Sequence, residues 1–337
     1  MSQPLKVGLV GATGVVGTTF CRLIEERNFP LAELRPFASS ASAGKKLKCK
    51  EQEWTIQALS SGCFEGLDLV FFSSGDSISE EWAPQAAASG AYAIDNSAAF
   101  RMSDDHALVV PEVNGDLLAD MKSAQVIANP NCSTIQLVVA LKAFESFGLK
   151  SIRVATYQAV SGAGRDAMNE LVEKSKLDVD TIKATKPDHF VRAINYNCVP
   201  EIGSFGEDLS CSEERKIRLE TKKIMRQPSL PVSAFTVRCP SLNGHAEAVW
   251  VELEKDVDRA KVEECIQATP GLTYSESGGA PNYHTPLEID GLDDVYLGRL
   301  RKDPEFTNTW TFWIAADNLK KGAALNGIQI AEMLFSV

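Results

Sequence analysis

The apolar and polar positions follow one pattern up to about Cys132 and another beyond it. LKVGLV (5–10) is an apolar run rich in β-branched residues, and glycines follow at once. From Val15 the apolar positions take helical spacing, at Val16, Phe20, Leu23 and Ile24, with Glu25, Glu26 and Arg27 opposite. Asn28 to Pro30 ends that helix. Further strands are expected at 33–39, 54–59, 68–74 and 91–97, with a helix at 80–89. Strands that alternate with helices, one of them a continuous apolar run, predict a parallel, doubly wound sheet.

After Cys132, residues 135–147 read as an amphipathic helix. Longer, alternating strands are expected at 151–161, 231–240, 245–254 and 309–317. Such strands, parted by one or two helices, predict an α+β domain on a mostly antiparallel sheet. Residues 320–334 carry Ala323, Ala324, Ile328, Ile330 and Leu334 and predict a helix that returns to pack on the first domain. The expected division is therefore 1–131 with 318–337, and 132–317. The Gly/Ser/Pro-rich stretch 275–286 reads as a loop.

Composition narrows the function classes. Among 337 residues, 34 Lys and Arg face 45 Asp and Glu, a formal charge of −11, with no basic block. A diffusely acidic chain repels nucleic acid and anionic membranes. Aliphatic runs such as 137–141 are far too short to span a bilayer. Eight cysteines stand at 21, 49, 63, 132, 198, 211, 239 and 265, never closer than 13 positions, so no CxxC metal or redox motif exists and no metal is expected. The first strand at Leu5 leaves no room for a signal peptide, and a reduced, cytoplasmic protein is expected.

Three features point to chemistry. Gly8 and then Gly11, Gly14 and Gly17 stand where the first strand hands over to the first helix, a turn that lets backbone N–H groups approach a pyrophosphate. A plain strand–helix turn also needs glycines, but the flanks favour a dinucleotide. The loop after the second strand, FASSASAGKK (37–46), holds no acid for a ribose hydroxyl. Its Ser39, Ser40 and Ser42 suit a 2′-phosphate with Lys45 or Lys46 balancing charge, and suit a solvated loop nearly as well. Cys132, in NPNCST (129–134), falls in the first turn of a helix that Pro130 blocks from starting earlier. Helix-terminal amides there favour a thiolate, whereas an arbitrary cysteine is more often a small core residue. Of four histidines, at 106, 189, 245 and 284, His245 follows a glycine turn at the start of a strand and is the candidate acid/base. His106 and His189 are expected in exposed polar segments and His284 in the loop. Thiolate plus dinucleotide suggests an acyl thioester coupled to hydride transfer.

Seven ordered motifs then resemble the aspartate-β-semialdehyde dehydrogenase family. They are GATGVVG (11–17), DNSAAFRM (95–102), NPNCST, YQAVSGAG (157–164), ETKKI (220–224), VRCP…NGHAE (237–247) and DNLKKGAALN (317–326). The resemblance implies a Rossmann-like domain with an α+β catalytic and dimerisation domain. It also implies a homodimer and NADP-dependent conversion of L-4-aspartyl phosphate to aspartate semialdehyde, on the route to lysine, threonine and methionine. By the same resemblance Cys132 is the nucleophile, His245 the acid/base, and Gln158 the group that orients substrate or thioester. Arg238 would clamp the substrate carboxylate, Glu220 its ammonium, and Arg101 with Lys223 the phosphate. Gly11, Thr13, Gly14, Val15, Val16, Ser39, Ala41, Ser42, Ser73, Ser161, Gly162 and Asn318 would line the cofactor.

By spacing alone Glu220 and Lys223 are an ordinary solvated helical pair. Two positions depart from the pattern: Ala41 stands where an Arg is common in the phosphate loop, and Ala246 replaces a small hydroxyl residue. The first departure admits dual cofactor use. The rival readings are an N-acetyl-γ-glutamyl-phosphate reductase, whose acylated substrate nitrogen gives Glu220 no cation to hold, glyceraldehyde-3-phosphate dehydrogenase, and a catalytically silent dinucleotide-binding paralogue.

Overall fold

A computed structural model describes residues 3–276 and 282–337. The chain forms two compact units, Met1–Asn131 with Ala323–Val337, and Cys132–Gly322. Residues 277–281 of the expected 275–286 loop lie outside the described residues.

In the first unit, strand β1 (Leu5–Val10) leads to helix α1 (Val15–Glu26) and strand β2 (Leu31–Phe37). A hairpin of β3 (Lys46–Cys49) and β4 (Gln52–Thr55) follows, then β5 (Leu69–Phe72), α2 (Asp76–Ala88), β6 (Tyr92–Asp95), β7 (Ala107–Leu108), α3 (Pro111–Asn114) and β8 (Val126–Ala128). The main sheet has the order β2-β1-β5-β6-β8-β7 with every neighbouring pair parallel. Its two faces bury different side chains, as a parallel sheet must. Leu5, Val7 and Leu9 pack with Phe20, Leu23 and Ile24 of α1 and with Leu325 and Ile328 of the C-terminal helix Leu325–Phe335. Val10, Val70 and Phe72 pack on the other face with Ala83 and Ala86 of α2. Helix α2 begins at Asp76, four residues before the expected start, because the polar DSIS segment supplies its first turn. Of the strand expected at 54–59, only residues 54 and 55 are laddered, as the end of β4 (Gln52–Thr55), and Gln57 makes one isolated bridge with Phe37.

The second unit opens on α4 (Cys132–Lys142) and continues through β9 (Leu149–Gln158), α5 (Arg165–Lys174), α6 (Val179–Ala184), α7 (Ser212–Ile224), β10 (Val232–Arg238), β11 (His245–Leu253), α8 (Arg259–Ala268), β12 (Leu272–Tyr274), β13 (Val295–Lys302) and β14 (Thr309–Ala316). The sheet order is β10-β9-β11-β14-β13-β12. Its inner pairs are antiparallel, whereas β10 with β9 and β12 with β13 are parallel, so the expected antiparallel sheet is mixed at both edges.

Helix α4 corrects the expected amphipathic helix at 135–147. It starts at Cys132, stops at Lys142, and buries every residue from Ser133 to Leu141. Residues 145–147 form a separate 3-10 turn. Lys142 and Glu145 pair across that break at 2.7 Å; in the sequence they had mimicked a continuing polar stripe. The expected helix at 320–334 likewise divides into a π-helical turn, Lys320–Ala324, and the α-helix that follows.

Candidate active site

The second unit gathers four of the expected residues around Ala159, just past β9. The His245 Nδ1 accepts the Ala159 N–H at 3.1 Å, and the Arg238 Nη1 donates to the Ala159 carbonyl at 2.6 Å. Both side chains are buried, His245 completely. Because Nδ1 is an acceptor, the neutral ring carries its proton on Nε2, and that atom has no hydrogen-bond partner among the described residues. Burial first, and then the Arg238 charge, hold the His245 pKa down at about 3 against the opposing pull of the Glu213 carboxylate. Gly162 leaves room for the imidazole and the guanidinium to reach Ala159 together. A Cβ there would lie 2.9 Å from Arg238 Nη1 and 3.4 Å from His245 Nε2.

Cys132 is the first residue of α4, where helix amides lack intrahelical partners. Burial works against the Arg238 charge, and the Glu213 carboxylate, then a thiolate at Cys132, support it. Gly322 packs directly on Cys132, since a Cβ at 322 would fall 2.9 Å from the Cys132 Cβ. Gln158, opposite Arg238 in the β9–β10 register, is pinned at both ends of its amide. Thr156 Oγ1 donates to its oxygen at 3.0 Å, and its Nε2 donates to Glu213 Oε1 at 3.0 Å.

Glu220 is buried on the inward face of α7, and Lys223 is half-buried one turn on. Two further carboxyls escaped the sequence reading. Glu213 lies two turns before Glu220 on the same face of α7, which is the one signal that pointed to it. Glu247, two residues past His245 on β11, is completely buried and opposes Thr156. Burial raises its pKa to about 8; the Gln136 amide of α4 acts the other way without closing a full hydrogen bond.

Ser161 and Asn318, expected at the cofactor, are bonded to each other in this unit. Asn318 Nδ2 donates to Ser161 Oγ at 2.9 Å, while its oxygen accepts the Gly244 N–H at 2.9 Å, next to His245.

The first unit holds Gly11, Thr13, Gly14, Val15, Val16, Ser39, Ala41, Ser42, Ser73 and Arg101. Gly11 has φ +81°, and a Cβ there would fall 2.5 Å from the Ser73 carbonyl. Only glycine fits this turn, which lies between the carboxyl ends of β1 and β5, where the strand order reverses. Gly17 permits the same closeness, with a Cβ 2.4 Å from the Gly11 carbonyl. No side chain caps α1 at Gly14. This cradle of backbone amides fits a dinucleotide pyrophosphate. The exposed turn at Ser39 to Ala41 after β2, with Ser42 half-buried, presents hydroxyls and no acid. Arg101 is buried and donates from Nη2 to the Asn96 carbonyl at 2.8 Å. In the same unit Asn326, of the last motif, donates to the Asn129 amide oxygen at 2.6 Å and to the Val109 carbonyl at 3.0 Å, a structural duty. His189 is exposed; His106 is half-buried, edge-on to Phe100 at 4.9 Å, and His284 contacts Ser275 at 2.8 Å.

Among the described residues no cluster could hold a metal ion, and no helix is long and apolar enough to cross a membrane.

Residues 6–121 match the family described as semialdehyde dehydrogenase, NAD binding domain, and residues 141–321 match its dimerisation domain. An aspartate-semialdehyde dehydrogenase of Aquifex aeolicus is 44% identical over 98% of this chain and 97% of its own. The crystal structure of aspartate semialdehyde dehydrogenase II from Vibrio cholerae complexed with ASA superposes with TM-score 0.93 at 37% identity, covering 99% of this chain and 98% of that one. The Candida albicans enzyme with NADP superposes with TM-score 0.74 at 25% identity, covering 98% of each chain. The chain belongs to the aspartate-semialdehyde dehydrogenase family.

Proposed function

We propose that this oxidoreductase of amino-acid biosynthesis converts L-4-aspartyl phosphate to L-aspartate 4-semialdehyde and phosphate, using NADP, on the diaminopimelate route to lysine and on the routes to threonine and methionine. The observation that carries the reading is the convergence of Arg238 and His245 on the two backbone groups of Ala159, next to Gln158 and within electrostatic reach of Cys132. The Vibrio cholerae relative complexed with ASA and the Candida albicans enzyme with NADP support the substrate and the cofactor.

The Cys132 thiolate attacks the acyl carbon, a C–S bond forms, and the C–O bond to phosphate breaks with its electron pair leaving on phosphate. Bound NADPH supplies the hydride that reduces the thioester carbon. The C–S bond then breaks, and its electrons return to Cys132 as the aldehyde leaves. In both halves the carbonyl oxygen carries transient negative charge, and His245, the acid/base, directs its Nε2–H toward that charge. Arg238 spends Nη1 on Ala159 and keeps other donors for the substrate carboxylate. Glu220 holds the ammonium, Arg101 and Lys223 the phosphate. Ser39 and Ser42 hold the 2′-phosphate, Lys45 adds positive charge, and the glycine turn holds the pyrophosphate.

A homodimer fits the outer face of the second sheet. There Phe235 and Phe306 are exposed around a cavity of about 470 Å³ that Arg153 and Trp250 also line, and Tyr157 is exposed as well. A reduced, cytoplasmic setting fits eight free cysteines.

The test is NADP reduction by aspartate semialdehyde plus phosphate, with N-acetylglutamate semialdehyde as comparator. Turnover with the first and not the second is expected. No turnover with either nicotinamide cofactor overturns the reading, as does a preference for the comparator.

A further inference from the structure

Gln158 has to present its amide one way round to orient a substrate carbonyl, and an amide is nearly symmetric in shape. Thr156 cannot settle the matter, because a hydroxyl both donates and accepts. A carboxylate only accepts. Glu213 Oε1, 3.0 Å from Gln158 Nε2, therefore selects the orientation with NH2 toward α7, because the flipped amide would set oxygen against oxygen.

The helix holds that carboxylate in place. Glu214 Oε2 accepts the Cys211 N–H at 2.9 Å, closing a capping box on α7. Glu214 Oε1 accepts the Thr236 N–H at 3.1 Å, on the outer edge of β10. The first turn of α7 is thus tied to the strand that carries Arg238, and Glu213 points inward beside it. Glu213 is buried, and Lys216 reaches its other oxygen at 3.4 Å from a partly exposed position. Its charge is felt by Arg238 and by His245.

We propose that Glu213 is a positioning residue that fixes the Gln158 amide, leaving the second N–H of Gln158 to the substrate or thioester oxygen. The inference rests on the function proposed above and adds a residue to it. Glu213→Gln is the sharpest variant, since it keeps shape and removes the acceptor-only character. We expect kcat to fall roughly tenfold, with KM for aspartate semialdehyde changed less than about threefold. In a Gln158→Ala background the same substitution costs less than about twofold, because the group it acts through is gone.

Equal factors in both backgrounds, an unchanged kcat, or a selective rise in KM each overturn the proposal. A second readout needs no turnover. The Gln158 side-chain amide signal in proton–nitrogen correlation spectra, assigned with Gln158→Ala, shifts in folded Glu213→Gln. An unmoved signal overturns the proposal whether or not the protein acts on aspartate semialdehyde. A wild-type protein inactive on that substrate overturns the function while leaving this readout to decide the residue.

Discussion

Arg238 and His245 bind opposite ends of the same residue: the guanidinium donates to the Ala159 carbonyl at 2.6 Å, and the imidazole accepts the Ala159 N–H at 3.1 Å. One residue of backbone thereby sets the spacing between the guanidinium and the imidazole, the groups proposed above to hold the substrate carboxylate and to serve the oxyanion. It also fixes the tautomer, because a ring nitrogen that accepts a backbone N–H leaves the proton on the other. The geometry belongs to the second unit alone.

That arrangement tolerates no side chain at 162. Gly162→Ala puts a methyl 2.9 Å from Arg238 Nη1 and 3.4 Å from His245 Nε2. We expect kcat/KM to fall by about tenfold or more, while thermal unfolding moves little because the backbone there is not in a glycine-only conformation. Steady-state kinetics with a melting curve checks both halves.

Asn318→Ala strips the Gly244 N–H of its acceptor and Ser161 of a donor. Both groups are buried, so unfolding free energy should drop by about 1–3 kcal/mol in denaturant titration. Activity should drop as well, since Gly244 precedes His245.

Stability should depend on pH through two buried groups of opposite sign. Glu247, raised from 4.5 to about 8, binds more protons folded than unfolded. Its contribution is full below about pH 4.5 and is lost as pH rises through 8. His245, lowered from 6.5 to about 3, stabilises above pH 6.5 and loses that contribution as pH falls toward 3. The slopes oppose each other between pH 4.5 and 6.5, and Glu247 acts alone from 6.5 to 8. Relative to wild type, Glu247→Gln should gain roughly 1 kcal/mol per pH unit in that upper window. Unfolding at several pH values measures this, and parallel curves for the two proteins would exclude it.

Local punctuation makes part of the site legible along the chain. Pro130 marks the start of α4, so Cys132 was legible as its first turn, and Gly11 marked a turn that only glycine can make. That legibility ends where burial overrides pattern. Ser133, Thr134 and Gln136 look like the polar side of an amphipathic helix, yet all three are buried. SEERK looks like a solvated helix start, and nothing local says that Glu213 turns inward onto Gln158. In HAEAVWVEL the inward row is His245, Glu247, Val249, Val251 and Leu253, two polar residues followed by three apolar ones, so alternation alone could not tell that its polar end was buried. Those facts belong to the tertiary packing of α7 on β10 and of α4 on α7, and to the Gln158–Glu213 bond, which spacing along one strand does not encode.

The most direct test is intact-protein mass spectrometry after mixing with aspartate semialdehyde and NADP in the absence of phosphate. Without the acceptor, the acyl group should remain on sulfur, giving one aspartyl adduct that maps to Cys132 and vanishes on adding phosphate. Reduced nicotinamide should appear with the same stoichiometry. An adduct on another residue, or nicotinamide reduction by Cys132→Ala at the wild-type rate, would contradict the account.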